Sequence, residues 1–394
     1  MSSLAWIDFD EAERQRSQRI MALFEEKESR DELGLGSIRD SVADHLFPGT
    51  STIQTRLRYM LFIPWLFSLL ESSNSPESQL SAEARKLEIM LADALRTGGE
   101  IKGLIGRDAG ASLRRLPSAV YWAGLGSWGI RKFHGSIEGL FSALRSRGRS
   151  RIPIGANEDA SASPKAPFWS QSLPPLPDKL LEKTVFQLTL DEVQFLLDRL
   201  VESEPNALLT WLAQEGHAGE CDYIWDHPHV SEFPTRARQI VQHAAIFSQV
   251  MHGASLLYNL ALSELRNKED WVQQYRAKLE AWSEDCDAVA VEAWSLDEFW
   301  TIIEHPAHRV SSQAARFVIE WRELLIEGSA FDSSQARDLV KRREIQLKGS
   351  HSRYTNQAVR DRWGGQSGIE RLGFRWDKAR TFLGEMRDAK SVHP

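Results

Sequence analysis

A chain of 394 residues exceeds what one hydrophobic core usually organises, so two domains are expected, with one large helical domain as the alternative. Hydrophobic residues at 42%, charged residues at 26% and 14 tryptophans exclude the apolar-poor, high-charge regime of disorder. The net charge of -7 hides an asymmetry: residues 101–151 hold 10 Lys and Arg against 2 Asp and Glu, and 337–394 hold 14 against 7, whereas 1–100 hold 11 against 17 and 152–336 hold 13 against 29. Such basic blocks either meet a polyanion or dock onto the chain's own carboxylates.

The opening MSSLAWIDFDEAERQR lacks the basic-then-apolar layout of a secretory signal, and Cys221 and Cys286 are too few for a disulfide framework. The expectation is a reducing cytoplasm. In LFPGTSTIQTRLRYMLFIPW, Ser51 and Gln54 have capping-box spacing after a Pro-Gly turn, predicting a helix whose first turns carry Arg56 and Arg58. An anion could bind at that N-terminus, unless both arginines pair with acidic residues of the first helix such as Glu11 or Glu13. The apolar run from Met60 to Leu70 spans 11 residues, far short of the roughly 20 needed to cross a membrane, and predicts a buried core helix. Further helices are predicted from Leu80, Leu87, Leu91 and Ala94, and from Ile137, Leu140, Phe141 and Leu144.

Between these lies YWAGLGSWGIRKF, with Gly124, Gly126 and Gly129 in G-x-G-x-x-G spacing. A dinucleotide loop needs a buried strand before it and an acidic residue about 20 positions on, and neither is present, so the spacing is coincidental. Pro117 instead starts a short helix that Gly126 can end, flanked by Arg114, Arg115, Arg131 and Lys132. A helix-turn-helix or winged-helix reader would present Ser118, Tyr121 and Trp122 from such an element; the alternative places the aromatic pair in the core. In LRSRGRSR, the residues Arg145, Arg147, Arg149 and Arg151 would share one side of an extended arm, or spread around a helix.

Residues 151–178 are rich in proline and serine and read as a linker, dividing a helical domain at 1–150 from another at 179–394. PDKLLEK, from Pro177, resembles a nuclease signature only superficially, since its Glu and final Lys are adjacent. Thr189 with Glu192 and Ser295 with Glu298 are capping boxes. His217, Cys221, His227 and His229, with Asp222 and Asp226, form a metal-like cluster that lacks the repeated pair of familiar zinc sites. The segment Ala237–Leu265 predicts a central core helix, HPAH at 305–308 a helix end, and Phe317, Val318, Trp321, Leu324 and Leu325 an amphipathic helix closed by Gly328. From Lys341, the sequence KRREIQLKGSHSRYTNQAVRDRWGG offers Lys341, Arg342 and Arg343 as a second cationic contact surface.

The fold class is therefore mainly α: two multi-helix parts joined by a Pro/Ser-rich linker, with a candidate helix-turn-helix or winged-helix element in the first. The blocks GLGSIRDSVADHLFPGTSTIQTRLRYMLFIPW, LPSAVYWAGLGSWGI, HGASLLYNLALSE and GIERLGFRWDKAR resemble an uncharacterised bacterial family, a domain of unknown function, over nearly the whole chain. That resemblance implies companionship with helicase-type genes in antiphage defence clusters and supplies no catalytic residue. No P-loop, nucleophile elbow, H-E-x-x-H or kinase signature occurs, so no catalytic residue, metal or cofactor is assigned. The expected role is nucleic-acid binding, DNA first, or nucleoprotein binding as an accessory component of a defence assembly, with no membrane contact. A protein scaffold and a metal-dependent enzyme around His217–His229 are the alternatives.

Overall fold

The structure, a computed structural model, describes residues 31–73, 75–107, 113–149 and 167–392. Among the described residues the chain forms fifteen α-helices and no strand: α1 (Gly36–Leu46), α2 (Tyr59–Ser72), α3 (Glu77–Thr97), α4 (Pro117–Ser127), α5 (Ile137–Arg149), α6 (Leu190–Ser203), α7 (Leu208–Glu215), α8 (Thr235–Leu265), α9 (Glu269–Asp285), α10 (Ala288–Ala293), α11 (Leu296–Ile302), α12 (Ser312–Ile326), α13 (Ser334–Lys348), α14 (Gln357–Asp361) and α15 (Trp376–Val392). The mainly helical class read from periodicity holds. Two compact units result, the first comprising Met1–Val42 and Gln239–Phe374, the second Ala43–Arg238 and Arg375–Pro394. Of the segment expected as a linker, residues 151–166 lie outside the described residues and 167–178 belong to the second unit.

The second unit is built on α2. The apolar run buries ten residues of this helix, and Tyr59 meets Tyr121 and Phe186 at 5.3 Å between ring centroids, while Phe67 stacks on Phe141 and meets Trp169 edge-on. Burial of this many aromatic rings is the dominant favourable term available to the unit. Two adjacent expectations fare differently. The Thr189–Glu192 pair closes a full capping box at the start of α6. The Ser51–Gln54 pair does not begin a helix: Gln54 accepts from the Ser51 amide and donates to the Gly49 carbonyl, and α2 starts only at Tyr59. The amides that a helix would have used are taken from a distance, those of Thr55 and Arg56 by the Tyr121 hydroxyl and that of Leu57 by Glu385.

The glycine triplet also resolves. Gly124 and Gly126 lie within α4, which no strand precedes, and Gly129 follows its end with φ of +63°. Gly124 lets α4 approach the 47–50 turn, because a Cβ there would overlap the Gly49 carbonyl oxygen. The spacing is a packing device.

In the first unit the 31-residue α8 is central, with Phe247, Val250, Met251, Ala254, Leu257 and Tyr258 buried. Two tryptophans fasten onto it: the Trp282 indole donates to the Gln249 carbonyl and the Trp321 indole to that of Val250, each at 2.8 Å. Ser295, Ser311 and Ser333 cap α11, α12 and α13 through bonds to the amides three residues on, and Gly328, at φ +70°, closes α12. No described helix is long and apolar enough to cross a membrane.

Two alanine substitutions test this packing. Gly124→Ala is expected to destabilise the second unit by about 1–3 kcal/mol, overlap outweighing the gain in helix propensity. Gly384→Ala, within α15 and with open space around it, is expected to stabilise the same unit by up to about 1 kcal/mol. Denaturant midpoints of the two variants should move in opposite directions, and a gain in stability for Gly124→Ala would contradict the close approach.

Candidate functional site

The first candidates, Arg56 and Arg58, precede α2 and turn inward. Arg56 pairs with Glu385, lies 3.9 Å from Glu100, donates to the Lys102 carbonyl and packs over the Phe186 ring. Arg58, buried, holds the Glu192 carboxylate at 2.6 Å and the Val185 carbonyl at 2.7 Å. Their carboxylate partners are thus Glu385, Glu100 and Glu192, far along the chain; Glu11 and Glu13 lie outside the described residues. An anion site at this helix start is not formed, because the helix begins after both arginines and both have internal partners.

Around α4 the candidates separate by burial. Tyr121 is fully buried, accepting from two amides and donating to the Arg56 carbonyl at 2.8 Å, and Ser118 is buried on Glu88. Trp122 is half-buried between Phe67 and Trp169, its indole donating to the Gly135 carbonyl. Arg131 lies over the Trp122 face at 4.7 Å and donates to the carbonyls of Trp122 and Phe133. Tyr121 and Ser118 are therefore packing residues and present nothing to a groove. Lys132 is exposed, 3.6 Å from Glu202. Arg114 and Arg115 are exposed, and no ion pair among the described residues holds them.

The arginine strip is helical. Arg145, Arg147 and Arg149 belong to α5, so the extended arm is not formed there, and Arg145 donates to the Ser73 carbonyl. The side chains of Arg147 and Arg149, and all of Arg151, lie outside the described residues. In the first unit, Lys341 and Arg342 are exposed on α13, with Arg342 3.8 Å from Glu320. Arg343 is buried instead, donating to the Leu33 and Gly34 carbonyls and lying over Phe317. Lys348 and Arg353 both pair with Glu32. Much of the second basic block is consumed by the fold.

Reasoning from sequence overlooked the segment leading into Arg114. Residues 101–107 turn at Gly103 and Gly106, at φ of +82° and +84°, and are pinned from beneath. The Tyr59 hydroxyl accepts from the Ile105 amide, Thr55 donates to the Gly103 carbonyl, Arg56 to that of Lys102, and Arg96 to those of Gly106 and Arg107. The side chains of Lys102 and Arg107 stand exposed on this anchored backbone. Their membership of the 101–151 block was the available signal.

The histidine cluster is assembled in the second unit, but differently from expectation. His217 and His229 stack with ring centroids 3.8 Å apart, and Nδ1 of His229 lies 2.8 Å from a Glu232 carboxylate oxygen. Cys221 contributes its carbonyl, which accepts from Trp376 and Arg380, while burial pushes its thiol up. Burial and the neighbouring imidazoles lower His227 to about 4.

A model of a family described as a family of unknown function, DUF6361, matches residues 1–390. The chain belongs to this family. No curated protein and no solved structure matches it. DUF6361 brings no residue role to the cations and histidines described above.

One titratable group is held at the start of α4. Glu88 of α3 accepts from both the amide and the hydroxyl of Ser118, capping the first turn of α4 from a neighbouring helix. Burial pushes its carboxyl from 4.5 up to about 7, against the lowering effect of the two Ser118 bonds. A raised folded value favours the protonated form, so this contribution to stability is present below pH 4.5 and is lost as pH rises through about 7. Glu88→Gln mimics the neutral acid without titrating: its amide oxygen accepts from the Ser118 amide and its NH2 donates to the Ser118 hydroxyl, reversing that one bond. Denaturation at pH 5 and pH 8 should show the wild type losing about 2 kcal/mol relative to this variant; parallel pH profiles would contradict the assignment.

Proposed function

We propose that the chain is a nucleic-acid-binding component of a bacterial antiphage defence assembly, engaging phosphates through Lys102, Arg107, Arg114 and Arg115. The reading is carried by the anchored segment before α4. Five hydrogen bonds hold the carbonyls and the amide of residues 102–107 to the core, while the side chains of Lys102, Arg114 and Arg115 are exposed. A backbone already ordered loses little conformational freedom on meeting a ligand, so phosphate contacts there are bought at low cost.

Contacts of this kind position a protein on a duplex without reading its sequence. The side chains that would have read bases, Ser118 and Tyr121, face the core. The reading is therefore one of sequence-independent binding, with no helix-turn-helix reader. The defence setting rests on the resemblance of the four sequence blocks and on nothing in the site. Lys341 and Arg342 of the first unit remain a weaker candidate surface, since Glu320 stands beside Arg342.

Fluorescence anisotropy of the full chain with duplex DNA, single-stranded DNA and RNA across a salt series tests this. Neutralising about four phosphates predicts a fall in duplex affinity of about 100-fold between 50 and 200 mM salt. The double charge reversal Arg114→Glu with Arg115→Glu should cut affinity by more than about tenfold and reduce the salt slope by about two. Absent or salt-insensitive binding by folded protein would overturn the reading in favour of an adaptor whose cations meet an acidic protein.

A further inference from the structure

Three features of the second unit converge near the end of α7. Gly216, at φ +74°, ends that helix in a left-handed turn, and the His217 amide bonds back to the Leu212 carbonyl, which fixes where His217 stands. Thirteen residues after His217 a short 3-10 turn, Val230–Glu232, carries Glu232, with His229 immediately before it; Arg238 holds this turn through the Ser231 carbonyl. His227 lies beneath. Its Nδ1 accepts from the His229 amide at 3.2 Å, which orients the backbone that bears His229.

We propose that His217, His229 and Glu232 bind one divalent transition-metal ion of the zinc class. One donor atom from each residue lies within 4.8 Å of the others. Around a tetrahedral zinc ion, donors at about 2.0–2.1 Å stand about 3.3 Å apart, so closure requires a shift of at most about 1.5 Å at any pair, with one imidazole turning out of the stack so that the two in-plane lone pairs converge. The side chain of Glu232 is 58% exposed and free to rotate into that position. Nδ1 of His229 and a Glu232 carboxylate oxygen already face each other at 2.8 Å, and the ion would sit between them.

A second observation is independent of the three ligands. His227 is only 2% exposed, lies 5.8 Å from the His229 ring and 6.4 Å from that of His217, and its Nε2 has no hydrogen-bond partner among the described residues. That orphaned nitrogen lies against Gly219 in the same corner of the unit, a buried polar atom that the fold itself does not satisfy. Two imidazoles and a carboxylate favour zinc over magnesium or calcium, which prefer all-oxygen shells, and three protein ligands leave a fourth position for water or substrate. Cys221, which sequence spacing suggested, is not in the donor set.

The proposal is independent of the nucleic-acid reading and is tested on the full chain with any affinity tag removed and metal stripped by chelator. Calorimetric titration with zinc chloride should give one equivalent, and cobalt(II) should give the visible absorption of a four-coordinate ion. His217→Ala and His229→Ala should each weaken zinc binding by about 100-fold, and the isosteric Glu232→Gln by about tenfold. His351→Ala, at an exposed residue outside the cluster, should leave it unchanged. Circular dichroism establishes that each variant is folded. No saturable zinc binding by folded wild type, or one equivalent bound undiminished by the His217→Ala, His229→Ala double variant, would overturn the site.

Discussion

In a fold of helices joined by long irregular segments, each loop carbonyl removed from water needs a donor, and among the described residues no strand ladder supplies one. Arginine and tryptophan side chains supply it repeatedly. Arg96 reaches the carbonyls of Gly106 and Arg107, Arg131 those of Trp122 and Phe133, Arg322 those of Val291, Glu292 and Trp294, and Arg343 those of Leu33 and Gly34. The indoles of Trp65, Trp122, Trp128 and Trp376 do the same for Pro174, Gly135, Pro48 and Cys221. Both side chains combine a donor at the tip with a large apolar or delocalised body that packs along the core. The high tryptophan content and much of the arginine content follow from this demand.

The 51–58 segment shows how far that demand overrides local preference. Its residues carry a helix-start signature, yet Tyr121 and Glu385 take the amides of Thr55, Arg56 and Leu57. Once the amides are satisfied from outside, the backbone gains nothing by winding four residues earlier. The same hydroxyl that stops the helix donates to the Arg56 carbonyl, so Tyr121 closes a small circuit between α4 and the entry to α2. A residue that looked available for recognition is committed to building the turn.

This explains what was legible in the sequence. Helices whose apolar faces repeat locally, such as α3, α5 and α12, could be read because the 3.6-residue period is set by burial of one face, and α8 because a segment apolar on nearly every side belongs among other helices. The caps at Thr189 and Ser295 were readable for a similar reason, their partners lying three residues away. Arg56 and Arg58 were not, since their partners Glu385 and Glu192 lie 329 and 134 positions on. Glu232 lies outside the His/Cys spacing of the 217–229 segment, and only the 3-10 turn, whose three-residue interval returns side chains to the same side, brings it to His229.

Charge and hydrogen bonding must be separated when asking which cations act outside the protein. Pairing with a carboxylate cancels the field beyond a few ångströms, whereas donation to a carbonyl leaves the formal charge intact. In the 337–394 block, Arg337 pairs with Glu264 and Asp332, Lys348 and Arg353 with Glu32, and Arg375 with Asp44, so that block is largely neutralised. In the 101–151 block, Arg131 and Arg145 donate to carbonyls, and Arg114 and Arg115 stand in solvent. Two segments of nearly equal nominal charge therefore present different fields. The arginines of the first that bond carbonyls keep their charge, whereas the second pairs much of its own with internal carboxylates, and a polyanion should distinguish between them.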